Sequence, residues 1–168
     1  MDKRQLTESD IRARYITPAI EQAEWDPMTQ IFHEFGLRAG RISVRGRAPH
    51  RDQATILKAD YALFFKSNIP IAAVEAKDNN HGIGIGAGMP QAIEYARLLG
   101  VPFAFASNGD GFIFRDETLA DGVLEKKIAL HEFPGPQQLW DRYCAWKGWA
   151  TFVSFLLHPT LMPVRASR

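Results

Sequence analysis

The stretch Ile69-Pro70-Ile71-Ala72-Ala73-Val74-Glu75-Ala76-Lys77 begins as a buried strand and ends by placing two charges where a buried strand should carry none. Ile71 to Val74 is a short apolar run behind a Ser67-Asn68 turn signal, the pattern of a strand covered on both faces. Side chains alternate along a strand, so Glu75 and Lys77 share one face and Ala76 takes the other. The preceding run, Ala59-Asp60-Tyr61-Ala62-Leu63-Phe64-Phe65, reads as a second strand. Only Lys66 to Ile69 separates the two, which favours an antiparallel hairpin. The start of its first strand, Asp60, then lies beside the end of its second, Glu75 and Lys77. Two close carboxylates repel unless a cation sits between them, and a hard ion such as Mg2+ takes oxygen ligands of this kind.

The N-terminal side opens with Thr7-Glu8-Ser9-Asp10, a capping box that starts a helix. Pro18 should kink or restart it, and Trp25-Asp26-Pro27 should end it. A second short helix is predicted over 28–35, stopped by Gly36. From Arg38 to Lys58 six cations face a single acid, Asp52. Arg41 to Arg45 alternates as a half-exposed strand does, and 46–53 reads as a basic loop. Such a patch suits a phosphate backbone, although a solvated surface explains it nearly as well.

On the C-terminal side, Gly82, Gly84 and Ala87 match a dinucleotide-binding fingerprint. Four polar residues separate that first glycine from the strand end, and a Glu aimed at a pyrophosphate would repel it. A glycine loop over a site is the better reading. Met89 to Leu99 is a helix, with Pro90 at its start and Gly100 as terminator; Gln91 and Tyr95 stack on one face. Strands follow at 101–107, 112–115 and 124–130, with Asn108-Gly109-Asp110-Gly111 as a hairpin turn. Gln137 to Lys147 is a last amphipathic helix.

The whole chain of 168 residues suits one domain. A formal charge of +1 and 46% hydrophobic residues describe an ordinary globular protein, so net charge argues neither for nucleic acid nor for disorder. A lone cysteine, Cys144, excludes an internal disulfide and a cysteine-based zinc site. With no signal region and no apolar run of bilayer length, no membrane is implied and the cytoplasm is the default.

Asp60 followed by Glu75-x-Lys77, on two strands of a mixed sheet with a helix on either side, resembles the PD-(D/E)XK nuclease core, with Ala59 where a proline is usual. Gln91-x-x-x-Tyr95 is similar to the accessory motif of a RecB-like branch. Further pieces narrow the resemblance: Thr7-Glu8-x-x-Ile11-Arg12, Ile16-x-Pro18, Trp25-Asp26, Val74-Glu75-Ala76-Lys77, Gln91-Ala92-x-x-Tyr95-Ala96 and Ser107-Asn108-Gly109. Together, over about 6–149, they resemble the N-terminal nuclease domain of the type I restriction enzyme R subunit. The resemblance implies an α/β, restriction-endonuclease-like core: a mixed central β-sheet flanked by helices.

It also implies roles. Asp60, Glu75 and the Ala76 carbonyl would hold Mg2+; Lys77 would orient water or balance charge at the phosphate. Glu8 corresponds to the family's additional acid, and Gln91 and Tyr95 to site-facing positions on their helix. Arg12, Arg41, Arg45, Arg47 and Arg51 would grip the backbone of double-stranded DNA, which fixes position without reading bases. The expected activity is Mg2+-dependent DNA hydrolysis without its own sequence specificity, in a complex with modification and specificity subunits. Residues 1–149 are the expected nuclease unit, and 150–168 an apolar tail that departs from the family. No Walker lysine motif is present, so ATP would enter only through a motor domain absent from this chain. The alternatives are a non-catalytic DNA- or partner-binding module on the same fold, and a nucleotide-binding module using the glycine loop.

Overall fold

A capped helix leads into the fold. Thr7 Oγ1 accepts from the Asp10 N–H at 3.2 Å, and Asp10 Oδ2 accepts from the Thr7 N–H at 3.1 Å. The reciprocal pair satisfies donors that a helix start leaves open. The computed structural model describes residues 5–38, 42–45, 48–51, 56–79, 84–120 and 122–149, with backbone alone at 38, 42–45, 48–51 and 56. Helix α1 (Glu8–Ile11) continues through a π-helical stretch (Arg12–Ile16) into α2 (Thr17–Gln22). Pro18 sits in the first turn of α2, so the expected restart takes the form of a widened turn just before it. The entry is fixed at its far end by Trp25, buried, whose Nε1 donates to the Pro134 carbonyl at 2.8 Å.

The helix expected over 28–35 is a strand instead: β1 (Ile31–Arg38) runs antiparallel to β4 (Ile56–Lys66), from Ile31↔Leu63 to Arg38↔Ile56. Ile31 and Phe35 are four apart and mimic helical period, but a long neighbouring strand offers a complete hydrogen-bond ladder that a two-turn helix cannot match. Phe32 and Phe35 meet Phe64 with ring centroids 4.8 and 5.5 Å away, which adds cross-strand packing. Between these strands, β2 (Ile42–Arg45) pairs with β3 (Ala48–Arg51) as a separate two-stranded sheet. Part of the expected basic loop is therefore β3.

The hairpin around Ser67-Asn68 is as expected, with β5 (Ile69–Ala76) antiparallel to β4 and Asn68 in the left-handed region, φ 64°. From β5 the chain crosses over through α3 (Met89–Leu99) to β6 (Phe103–Ser107), which lies parallel to β5. Gly100, at φ 70°, terminates α3 as its position suggests. Next come β7 (Phe112–Asp116), β8 (Glu125–Ile128) and α4 (Pro136–Trp146). The six-stranded order is β1-β4-β5-β6-β7-β8, so β5 occupies the interior and Ile71 to Ala76 are all buried.

Two helical layers cover this mixed sheet. Ile11, Ile16 and Ile20 from the N-terminal helices and Leu139 from α4 pack with Tyr61, Val74, Phe105 and Phe112. On the other side Met89, Ala92, Tyr95 and Ala96 of α3 pack with Ala59, Ala73, Ala104 and Ala106. The alanines let the α3 backbone lie close to the strands. Cys144 is a buried free thiol, and among the described residues no helix is long and apolar enough to cross a membrane. The 150–168 tail, and within the basic segment Arg41 and Arg47, lie outside the described residues.

Candidate active site

The central sheet forks at one step. The β4–β5 ladder ends at Tyr61↔Val74. Beyond that pair β4 stays with β1 (Phe35↔Ala59, Gly36↔Lys58), while β5 stays with β6 (Glu75↔Ala106, Ala76↔Ser107). Carried one residue further, the register sets Asp60 against Glu75 at the mouth of the fork. Asp60 Oδ2 reaches across it and accepts from the Ala76 N–H at 2.7 Å, in place of a ladder bond. The next N–H, that of Lys77, turns the other way and donates to the Ser107 carbonyl at 2.9 Å. An extended residue sends its N–H and its carbonyl toward the same neighbour, so the Ala76 carbonyl opens into the fork as well.

Glu75 is 4% exposed. Lys77 Nζ donates to its Oε1 at 2.7 Å, while Oε2 is buried and accepts from no donor, its one hydrogen-bonding option being to share a proton with the Asp60 carboxylate. Leaving a carboxylate oxygen in that state is costly unless something completes it. Burial, with the Asp60 charge adding to it against the pull of Lys77, pushes the Glu75 carboxyl up to about 7. The expected trio of Asp60, Glu75 and Lys77 is thus brought together on the hairpin that carries it.

The fork is also where both helical layers meet. From α1, Glu8 is half-buried, and its carboxyl is raised first by desolvation and then by the Asp60 charge, with Lys77 opposing. From α3, Tyr95 is buried; desolvation raises its hydroxyl and the Glu75 and Asp60 charges add to this. Gln91, four residues earlier, is exposed at the start of the same helix. Arg12 stands closer to the carboxylates than its expected DNA role suggests. Its Nη1 lies 3.3 Å from Asp60 Oδ1 and 3.5 Å from Glu34 Oε1, with the guanidinium 5.3 Å from the Tyr61 ring centroid. Arg45 and Arg51 are described by backbone only, in β2 and β3.

Two residues of this neighbourhood are not readable from motifs. Glu34, inside an expected helix, carries no signal. Gly88 has one, as a member of the glycine loop. The described end of that loop, which leaves Gly82 outside the described residues, folds as a 3-10 turn (Ile85–Gly88) and delivers Gly88 onto the site: a Cβ there would lie 2.8 Å from Glu75 Cγ and 3.3 Å from Glu75 Cβ. The space that a nucleotide phosphate would need holds a carboxylate stem instead. Gly88 has φ −81°, so the demand is steric rather than conformational. Gly88→Ala is expected to cost about 1–3 kcal/mol in urea unfolding, through overpacking against Glu75; an unchanged midpoint would mean that α3 sits further from the strand.

No family model matches the chain. Over 145 residues, 86% of its length, the chain is 54% identical to the type I restriction enzyme EcoAI endonuclease subunit of Escherichia coli. The chain is homologous to the type I restriction endonuclease subunits. It spans 17% of that relative's length. The fragment structure of a putative HsdR subunit of a type I restriction enzyme from Vibrio vulnificus YJ016 matches with a TM-score of 0.67 at 32% identity, over 85% of this chain and 26% of that one. The mixed sheet between helical layers is therefore shared with an HsdR fragment, as the sequence resemblance leads one to expect.

The donor set at the fork fits a hard divalent ion. Among the described residues no group of three His, Cys, Asp or Glu side chains forms a ready-made cage. Mg2+ does not ask for one: it retains several waters and binds through one or two carboxylates. Glu75 Oε2, a carboxylate of Asp60 held on one side only by a long contact to Arg12, and the Ala76 carbonyl supply oxygens and nothing softer.

Proposed function

We propose that this region of the type I restriction endonuclease homologue is a Mg2+-dependent PD-(D/E)XK nuclease unit that hydrolyses DNA phosphodiesters without sequence specificity of its own. The observation that carries this reading is the buried, unpartnered Glu75 Oε2 beside Asp60 at the mouth of the sheet fork. When bound there, Mg2+ supplies Lewis-acid polarisation of the scissile phosphate and a water of lowered pKa.

The chain's own groups do the rest. Asp60 and Glu75, with the Ala76 carbonyl, hold the ion in register with the strands. Lys77, its ammonium anchored on Glu75 Oε1 at 2.7 Å, orients the attacking water or offsets negative charge gathering on the phosphate. Glu8 faces the same space from α1 and can hold an ion-bound water. Tyr95 limits the site on the α3 side, and Gln91, exposed one turn earlier on the same helix, is the group that would meet the nucleotide. Arg41, Arg45, Arg47 and Arg51 make up the phosphate-gripping segment.

In this reading residues 1–149 form the nuclease unit. Double-stranded DNA is delivered by the rest of a type I complex, with modification and specificity subunits, in the cytoplasm, and ATP acts through motor domains outside this chain. The test is plasmid nicking by the 168-residue chain. Nicking with Mg2+ that stops on adding EDTA supports the reading. DNA binding that ignores the cation, with no nicking, would favour a non-catalytic module. One feature favours that second reading: Arg12 and Lys77 already neutralise both carboxylates.

A further inference from the structure

Arg12 presents one nitrogen, Nη1, to two carboxylates at nearly equal distances, 3.3 Å from Asp60 and 3.5 Å from Glu34. The side chain is not drifting between them. Its guanidinium lies over the Tyr61 ring at 5.3 Å, and the Tyr61 hydroxyl is itself held by Thr17 Oγ1 at 2.9 Å. Only a small swing separates an Arg12 that holds Asp60 from one that holds Glu34.

Glu34 owes its place to the strands. On β1, His33 pairs with Tyr61 and Phe35 with Ala59, so Glu34 is the residue opposite Asp60. The same register logic places Asp60 opposite Glu75, and three acids stand in one row across β1, β4 and β5. Glu34 has φ 49°, a left-handed backbone that non-glycine residues seldom adopt, and it interrupts the ladder beside Asp60. Its side chain is 62% exposed whereas those of Arg12 and Asp60 are 17% and 13% exposed, so Glu34 is the outer partner of the three.

We propose that Arg12 is a built-in counter-cation of the metal site and that Glu34 is a positioning residue, drawing Arg12 off Asp60 when a divalent ion binds. This rests on the reading of Asp60 and Glu75 as ion ligands. Without the ion, Arg12 balances Asp60 and occupies Oδ1, a lone-pair direction that the ion needs. With the ion in place, Asp60 no longer needs Arg12, which would otherwise be repelled by the new charge. Glu34 receives it a few tenths of an ångström away and keeps the guanidinium at the rim, within reach of an incoming phosphate. No bond is made or broken; one ion pair is exchanged for another.

The test is Mn2+ uptake by the full chain, followed as loss of the free-ion EPR signal, with DNA absent. Arg12→Ala is expected to bind Mn2+ about five-fold more tightly, the size of one partly exposed ion pair. Arg12→Gln, which keeps the stem against Tyr61, should do the same. Glu34→Gln is expected to bind about five-fold more weakly, and to change affinity by less than about two-fold once Arg12 is alanine. Unchanged or weaker uptake by both Arg12 variants overturns the proposal, because an arginine that merely props Asp60 would give that result. An Asp60→Asn chain that takes up Mn2+ as well as the unaltered one overturns the metal reading itself, and the inference with it.

Discussion

Asp60→Asn, Glu75→Gln and Lys77→Ala are each expected to lower Mg2+-dependent plasmid nicking by on the order of 10^3-fold, with unchanged far-ultraviolet circular dichroism. The isosteric choices follow from the structure. Asp60 accepts the Ala76 N–H, so alanine there would leave a donor at the fork unpaired and mix a folding defect with a chemical one. Asparagine keeps an oxygen for that bond and loses the charge. Glutamine at position 75 keeps the bond to Lys77 and fills the same buried volume. Lys77 is itself half-buried at the rim, and without it Glu75 can take a proton, so Lys77→Ala should fold. Gln91→Ala, at an exposed position, is expected to fall less than the other three. Equal nicking by all four variants and the unaltered chain would identify a contaminating enzyme.

Glu75→Gln should also change how stability responds to pH. The ordinary carboxyl value of 4.5 is raised to about 7 in the folded chain, chiefly by burial. Between those values the folded state keeps a proton that the unfolded state has released. The stabilisation is fully present below about pH 4.5 and is lost as pH rises through 7. The loss is expected to be roughly 3 kcal/mol in EDTA, since the rise from 4.5 to about 7 is about two and a half tenfold changes in proton affinity, each worth about 1.4 kcal/mol. In urea unfolding the glutamine variant should match the unaltered chain at about pH 4 and exceed it at about pH 8. A divalent cation, taking the proton's place, should restore most of the difference. Parallel profiles for the two chains from about pH 5 to 8 would show that Glu75 is not the group responsible.

Much of this site is legible in the sequence because it sits on local structure. Asp60, Glu75 and Lys77 lie on one hairpin, so a short connection and the two-residue period of a strand are enough to bring them together. The capping box at Thr7, the α3 helix with Pro90 and Gly100 at its ends, and the Asn108-Gly109 turn are likewise local signals, and the structure has all three. What local signals miss is long-range. Residues 28–35 satisfy a helical spacing, yet Ile31–Arg38 completes the edge of a sheet whose partner, β4, lies well downstream in the chain. Missing that strand also hides Glu34, which the register sets opposite Asp60. The family resemblance assigns Arg12 to phosphate, and only the folded arrangement shows it beside the acids. The glycine loop is partly legible: its pattern matches a nucleotide fingerprint, its distance from the strand end argues for a loop over a site instead, and only the fold shows that Gly88 is demanded by close approach to Glu75.

The most direct measurement is the position of a bound ion: a crystal of this chain soaked in Mn2+, with anomalous scattering recorded at a wavelength sensitive to manganese. Ion ligation by Asp60 and Glu75 requires a peak at the fork, in bonding distance of an Asp60 oxygen, Glu75 Oε2 and the Ala76 carbonyl. A map with Mn2+ bound elsewhere and none between residues 60 and 75 would contradict it.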